Sequence, residues 1–260
     1  MSIKDITVVI TSFKSDEIIR NCLNSIDRQY RVILVENSND SEFKKNIEQE
    51  FSNVECILTG KNFGYGKANN IGLKKVKTKY ALILNPDATL HTTTLENFFK
   101  TIKQIPEFAI IGPHIQEKKD ENKKIDNYSS SPILVKNVKG FAMFLNMSEF
   151  QDIGFFDENF FIYFLDNDFG RKAISQKKSI IQVFESKAIH SHGSLKVKNF
   201  FKKIFIRNYH FTMDELYYYF KINEHHEMLN KLEKKIPNYL IKSLLNIFIL
   251  RLFNEIVLNS

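Results

Sequence analysis

Residues 5–51 read DITVVITSFKSDEIIRNCLNSIDRQYRVILVENSNDSEFKKNIEQEF, and the order of patterns in this stretch decides the fold. The run from Ile6 to Ile10 is apolar and β-branched and stops at Thr11-Ser12, which predicts a buried strand. After a Ser/Asp start signal, Ile18, Ile19, Leu23 and Ile26 recur at helical spacing. Arg31 then leads a second apolar run, Val32 to Val35, which breaks at Glu36-Asn37-Ser38, and SEFKKNIEQEF follows as a second helix. Continuous apolar strands alternating with amphipathic helices imply a mainly parallel sheet covered on both faces.

The alternation continues with VECILTG as a third strand, KANNIGLKKV as a third helix and YALILNPDA as a fourth strand. Ligands of such sheets collect at the carboxyl ends of the strands. Polar residues stand at those ends here: Thr11-Ser12, Glu36-Asn37-Ser38 and Asn85-Pro86-Asp87. A carboxylate such as Asp87 suits a hard divalent cation shared with a phosphate. Pro-Asp is also a favoured turn pair, and Asp caps helices such as the one expected at TTTLENFFKTI. In GKNFGYGKANNIG, Gly60 to Gly72, glycines alternate with Asn62, Asn69 and Asn70 around a helix start, a composition for close backbone approach to a ligand. It is not a dinucleotide fingerprint. Gly64-x-Gly66-x-x-Asn69 lacks the third glycine and follows the third strand, whereas the first turn, TSFKS, has none.

Beyond Gly140 the pattern changes. NVKGFAMFLN reads as a strand opened by a glycine, and FQDIGFFDENFFIYFLDNDFGRKAISQ mixes phenylalanines with acids. Asp157 and Glu158 fall in a turn, while Asp166 and Asp168 open a helix that carries Arg171. Acids at a helix start serve as caps and dipole partners. A carboxylate at an aromatic-lined helix start is also suited to general-base work. AIHSHGSL sets His190 and His192 on one face of an extended strand, which fits two ligands on one metal, or one phosphate contact and one acceptor contact.

A chain of 260 residues with 43% hydrophobic content can bury a full core. Its net charge of +7 favours an anionic partner. Cys22 and Cys56 form no CxxC pair and no signal-peptide pattern precedes the first apolar run, so a reducing, cytoplasmic location is expected, without disulfide or zinc. Residues 196–260 form a basic, aromatic extension in which Ile241, Leu245, Phe248 and Leu252 share one helix face, interrupted by Lys242, Asn246, Arg251 and Glu255. A spanning helix is not expected there. Helices docked on the core and helices lying in an anionic membrane interface both fit. No recognised nucleic-acid motif accompanies the basic residues, and the acidic rim would repel such a partner.

The stretches VVITSFKSDEIIRNCLNSI, VILVENSNDS, KNFGYGKANNIGL, LILNPDATL, VKGFAMFLN, GFFDENFFIYFLDNDFGRKA and IHSHGSL, taken in this order over roughly residues 5–195, resemble glycosyltransferase family 2, and within it the bacterial rhamnosyltransferase-like branch. The resemblance implies a GT-A fold in residues 1–195, with a nucleotide-sugar half (1–110) and an acceptor and catalytic half (111–195). It implies inverting transfer of a sugar, dTDP-rhamnose or another nucleotide sugar serving as donor, to a hydroxyl of a glycan or lipid-diphosphate-linked acceptor. Thr11, Ser12, Glu36, Asn37, Ser38, Asn62, Gly66, Asn69, Asn85 and Asp87 would surround the nucleotide. Asp87, with His190 or His192, would hold Mg²⁺ or Mn²⁺. Asp166 would be the general base, and Asp168 and Arg171 orienting residues beside it. Three positions depart from the family pattern: an amide at Asn85, Glu36 where Asp is usual, and Leu165 in place of the Glu of a Glu-Asp pair.

Overall fold

The computed structural model describes residues 5–117, 132–191, 200–231 and 233–235. The apolar helix expected around Ile241, Leu245, Phe248 and Leu252 lies outside the described residues, as does His192. The first half of the chain folds as its pattern dictates: β1 (Ile6–Ser12), α1 (Ile19–Asn24), β2 (Arg31–Glu36), α2 (Ser41–Glu50), β3 (Val54–Leu58), α3 (Tyr65–Leu73) and β4 (Tyr80–Leu84). These four strands are parallel, in the order β3-β2-β1-β4. The second half adds β5 (Ala88–Leu90), α4 (Thr94–Gln104), β6 (Ile110–Glu117), β7 (Ile133–Leu134), β8 (Ala142–Asn146), α5 (Met147–Ile153), α6 (Leu165–Ser175), β9 (Ile180–His190) and α7 (Phe200–Lys221). The sheet continues from β4 through β8, β6, β9 and β5, with β7 paired to β9.

Strand β8 enters antiparallel between β4 and β6. Because β6 and β9 then run with the first four strands, the sheet stays mostly parallel, with β5, β7 and β8 reversed. Successive strand residues face opposite sides, so β1 feeds two cores. Val8 and Ile10 join Cys22, Phe43, Phe98 and Phe144 on one side. Val9 joins Leu73, Met143, Phe150, Leu165 and Phe169 on the other. The result is a sheet between two helical layers, the GT-A type of α/β architecture.

Register places the rim. Ser12 pairs with Glu36, Glu36 with Leu58, and Ile10 with Leu84, so the polar turns after β1, β2, β3 and β4 stand side by side. Reversed β8 brings its first residue, Ala142, opposite Leu84, and β9 ends at His190 opposite Ala88. The sheet thus delivers Gly140, Phe141 and His190 to the same edge.

Gly72 fixes the height of α3 above this sheet. A Cβ there would come within 2.6 Å of Val9 Cγ1 and 3.0 Å of Val35 Cγ2, two stiff β-branched side chains that cannot swing away. Gly72→Ala should lower unfolding free energy by about 1–3 kcal/mol, read as a shift in the denaturation midpoint at constant slope.

Candidate functional site

On the part of the rim expected to take a nucleotide, the β2 turn is held by its own acid. Glu36 is buried; its Oε1 accepts the backbone N–H of Ser38 at 2.9 Å and the Ser38 hydroxyl, and its Oε2 accepts the N–H of Asp40 at 2.8 Å. Asp40 in turn caps α2 by accepting from the Phe43 N–H. Asp16 sits nearby, and burial together with the Asp40 and Glu36 carboxylates raises its pKa. Asn37 acts on the next loop: its amide donates to Asn62 Oδ1 (2.9 Å) and to the Gly64 carbonyl (3.1 Å), and its carbonyl accepts the Phe63 N–H and the Thr59 hydroxyl. Asn37 and Asn62 are therefore spent on shaping the loop before α3, although both were expected against the nucleotide. By contrast Thr11 Oγ1, Ser12 Oγ, Asn69 Oδ1 and Asn85 Oδ1 are buried without a hydrogen-bond partner. Unused polar capacity of this kind calls for an explanation, and four of the six such atoms among the described residues belong to residues predicted to surround the nucleotide, the other two being Asn53 Oδ1 and Asn137 Oδ1.

Gly66 is a point of close approach between α3 and α6. A Cβ at this position would approach Leu165 Cδ2 to 2.7 Å, so the glycine admits the first residue of α6. The same contact explains Leu165 in place of an acid: that side chain is buried against α3, where a carboxylate would be desolvated without a partner.

Asp87 does not cap α4, whose N-cap is Thr93, because β5 intervenes. Its Oδ1 lies 3.2 Å from His190 Nε2, with both side chains largely buried. The His190 ring stacks on Phe141 at 4.8 Å, which fixes the imidazole. Asp87 and His190 thus converge as two donors, although among the described residues no group of three His, Cys, Asp or Glu forms a complete ligand set. A hard cation held by one or two protein groups plus substrate phosphates fits this arrangement.

Asp166 stands in the first turn of α6 and accepts the Gly140 N–H at 3.1 Å through Oδ2. Tyr65, which the sequence reading missed, donates its hydroxyl to the Gly140 carbonyl at 2.8 Å. Burial, with Asp166 and Asp87 adding, raises the Tyr65 pKa far above the usual phenol value and keeps it a donor. The Asn85 N–H donates to the Phe141 carbonyl at 2.8 Å. One dipeptide, Gly140-Phe141, therefore touches Asp166 at one end and the Asp87–His190 pair at the other.

Asp168 faces the opposite way. It is 1% exposed and bound by Lys221 (2.8 Å), Lys172 (3.2 Å) and half-exposed Arg171 (3.4 Å). This engagement makes Asp168 an anchor for α7, with Arg171 beside it. Lys221 also binds Asp157 at 2.6 Å, and the Tyr217 hydroxyl donates to the same carboxylate. One turn earlier on that face, buried Asp214 accepts the N–H groups of Phe161, Ile162 and Tyr163, each at 2.9 Å. These contacts hold Phe164, a left-handed residue (φ 61°) that precedes α6, with its ring packed between Phe211 and Tyr218. The spacing of Asp214 and Lys221, seven residues apart on one helix face, is the sequence signal that would have found this clasp.

The family model of glycosyl transferase family 2 matches residues 7–169. The chain is 26% identical over 209 residues to the low-salt glycan biosynthesis hexosyltransferase Agl10 of Haloferax volcanii, covering 72% of this chain and 67% of that protein. It is 27% identical over 154 residues to rhamnosyltransferase WbbL of Escherichia coli (strain K12), covering 55% of this chain and 56% of that one. Among solved structures it superposes on S. aureus TarS 1-349 in complex with UDP-GlcNAc with a TM-score of 0.60 at 16% identity, covering 73% of this chain and 60% of that one. GalNAc-T7 with UDP, GalNAc and Mn²⁺ gives a TM-score of 0.60 at 13% identity, covering 72% and 43%.

The clasp has a pH signature. Burial opposes ionisation of Asp157, but hydrogen bonds from Lys221, Asn159 and Tyr217 outweigh it and lower the pKa from 3.8 to about 2. Its stabilising contribution is complete above the unfolded value and is lost as pH falls through about 2. Lys221→Met should cost roughly 3 kcal/mol at neutral pH, since it strips a cation from buried carboxylates. The gap between variant and wild-type denaturation curves should narrow as pH falls towards 2.

Proposed function

The chain belongs to glycosyl transferase family 2, and we propose that this glycosyltransferase moves a sugar with inversion from a nucleotide diphosphate donor, dTDP-rhamnose for preference, to a hydroxyl of a glycan or lipid-linked acceptor. The observation that carries the reading is the Gly140-Phe141 dipeptide, which links the carboxylate of Asp166 to the Asp87–His190 pair. A proton acceptor and a site for diphosphate charge thereby flank one short stretch of backbone, as a displacement at an anomeric carbon requires.

Asp166 removes the proton of the acceptor hydroxyl as its oxygen attacks the anomeric carbon from the face opposite the leaving diphosphate. The new carbon–oxygen bond forms as the bond to the diphosphate breaks, and the centre inverts. The Gly140 N–H holds one carboxylate oxygen of Asp166 and the Asn167 N–H holds the other, which aims the base. Asp87 and His190 would hold Mg²⁺ or Mn²⁺, which when bound offsets the charge growing on the leaving group. Thr11, Ser12, Asn69 and Asn85, with hydrogen-bonding capacity unused by the fold, suit the nucleotide.

A UDP-hexose is the alternative donor. It draws support from the hexosyltransferase relative and from the UDP-GlcNAc bound in the TarS structure.

Calorimetry against dTDP, UDP and GDP, with and without Mn²⁺, tests the reading. Metal-dependent binding of one nucleotide is expected, and Asp87→Ala should abolish it. Asp166→Asn should retain that binding while turnover falls by about 10²–10⁴. Failure of the folded protein to bind any of the three would refute the transferase assignment of this rim and favour a non-catalytic scaffold.

A further inference from the structure

Tyr65, the first residue of α3, reaches both segments that place Asp166. Its main-chain N–H donates to the Phe161 carbonyl, in the turn that leads into α6, and its hydroxyl donates to the Gly140 carbonyl at 2.8 Å. The 161–164 turn sets where α6 begins, and the Gly140 N–H holds Oδ2 of Asp166 at 3.1 Å.

Gly140 is a loose support on its own. Without a Cβ it has wide freedom in φ and ψ, so the peptide plane that carries its N–H turns easily against the plane that carries its carbonyl. The first plane touches the Asp166 carboxylate, the second is fastened by Tyr65, and the Phe141 carbonyl beyond it is fastened by the Asn85 N–H. Loss of the phenol strips the Gly140 carbonyl of its donor and leaves the aiming N–H hinged on a glycine.

Tyr65 is itself held firmly. Burial raises its pKa, so it stays a donor, and its ring packs against the core that contains Leu165 and Phe169. Gly64, at φ 81°, passes so close to Phe161 that a Cβ would stand 2.5 Å from that carbonyl oxygen. The Gly64 carbonyl in turn accepts from Asn37. A run of contacts thus leads from the turn after β2, through the loop before α3, to Gly140 and Asp166.

We propose that Tyr65 is a positioning residue for the base: it fastens Gly140 and Phe161 to the loop before α3 and aims Asp166 through them. What Asp166 does rests on the transferase reading; what Tyr65 does to Asp166 rests on the hydrogen bonds alone.

Tyr65→Phe removes the hydroxyl and keeps the ring. The full chain has nine glycines, and in a spectrum of ¹⁵N-glycine-labelled protein the Gly140 amide is identified by its loss in Gly140→Ala, for which the nearest atom, Asp166 Cβ at 3.6 Å, leaves room. That amide should shift in Asp166→Asn. In Tyr65→Phe it should shift as well and exchange with solvent roughly tenfold faster or more, while the Gly112 and Gly154 amides keep their rates. Release of nucleoside diphosphate from dTDP-rhamnose or UDP-GlcNAc, with water as acceptor, should fall in kcat by roughly 10–100-fold, with nucleotide affinity by calorimetry unchanged. Phe51→Leu, in the core on the other side of the sheet, serves as the stability control and should leave both kcat and the Gly140 amide as they are. Wild-type turnover in Tyr65→Phe overturns the proposal, and so does an unchanged Gly140 amide. An equal fall in kcat for Phe51→Leu overturns it too, since general stability would then set the rate. A Gly140 amide that loosens in Tyr65→Phe, in a protein that binds none of the nucleotides, leaves Tyr65 as the fastener of Asp166 and removes the transferase reading instead.

Discussion

The backbone of Gly140 and Phe141 is the constraint on which the site depends. Strand β8 begins just beyond it, reversed relative to β4, so this dipeptide arrives at the rim where parallel strands end. Its N–H and carbonyl groups are committed to Asp166, Tyr65 and Asn85, and its phenyl ring is committed to His190. Had β8 run parallel to β4, its start would lie at the opposite edge of the sheet. Asp166 would then lose its aiming donor and His190 its stacking partner.

A second level of constraint comes from α7. Buried carboxylates cost stability unless paired and hydrogen-bonded, and the segment before α6 contributes Asp157 and the first turn of α6 contributes Asp168, both of which look to Lys221. Asp214 supplies the complementary charge, an anion facing three backbone donors of a turn with no other use for them. Positive φ at Phe164 is a strained choice for an aromatic residue, and it persists because the turn is held from both sides. The clasp is thus a positional device: it sets where α6 begins, and hence where Asp166 points.

Much of this was legible in the sequence. Strand–helix alternation from Ile6 to Leu84, and the polar rim it creates, followed from periodicity, because parallel strands buried on both faces read as unbroken apolar runs. The reversal of β8 did not, since direction depends on what lies beside a strand and an apolar run looks the same either way. Gly66 and Asn37 look like ligand contacts in one dimension; that Gly66 also admits Leu165 and Asn37 also shapes the 59–64 loop could not be read there, because those partners are fixed only in three. Asp168 stands two positions from Asp166, yet helical geometry turns it about 200° away, towards a lysine more than fifty residues downstream. Tyr65 carried no signal at all, as a tyrosine at a helix start is ordinary until its hydroxyl is seen on Gly140.

The family match closes at residue 169, within α6, while the pairing of Asp157 and Asp168 closes only at Lys221. The unit that the family model covers and the unit that folds around Asp166 therefore have different ends. A fragment extended past the family match only to the end of β9 would keep Asp87, Asp166 and His190 in its sequence. It would expose three unpaired N–H groups at 161–163 and leave two acids without their shared cation. For this chain, the boundary that matters to an experimenter choosing where to stop is drawn by charge neutrality, some fifty residues after the family match ends.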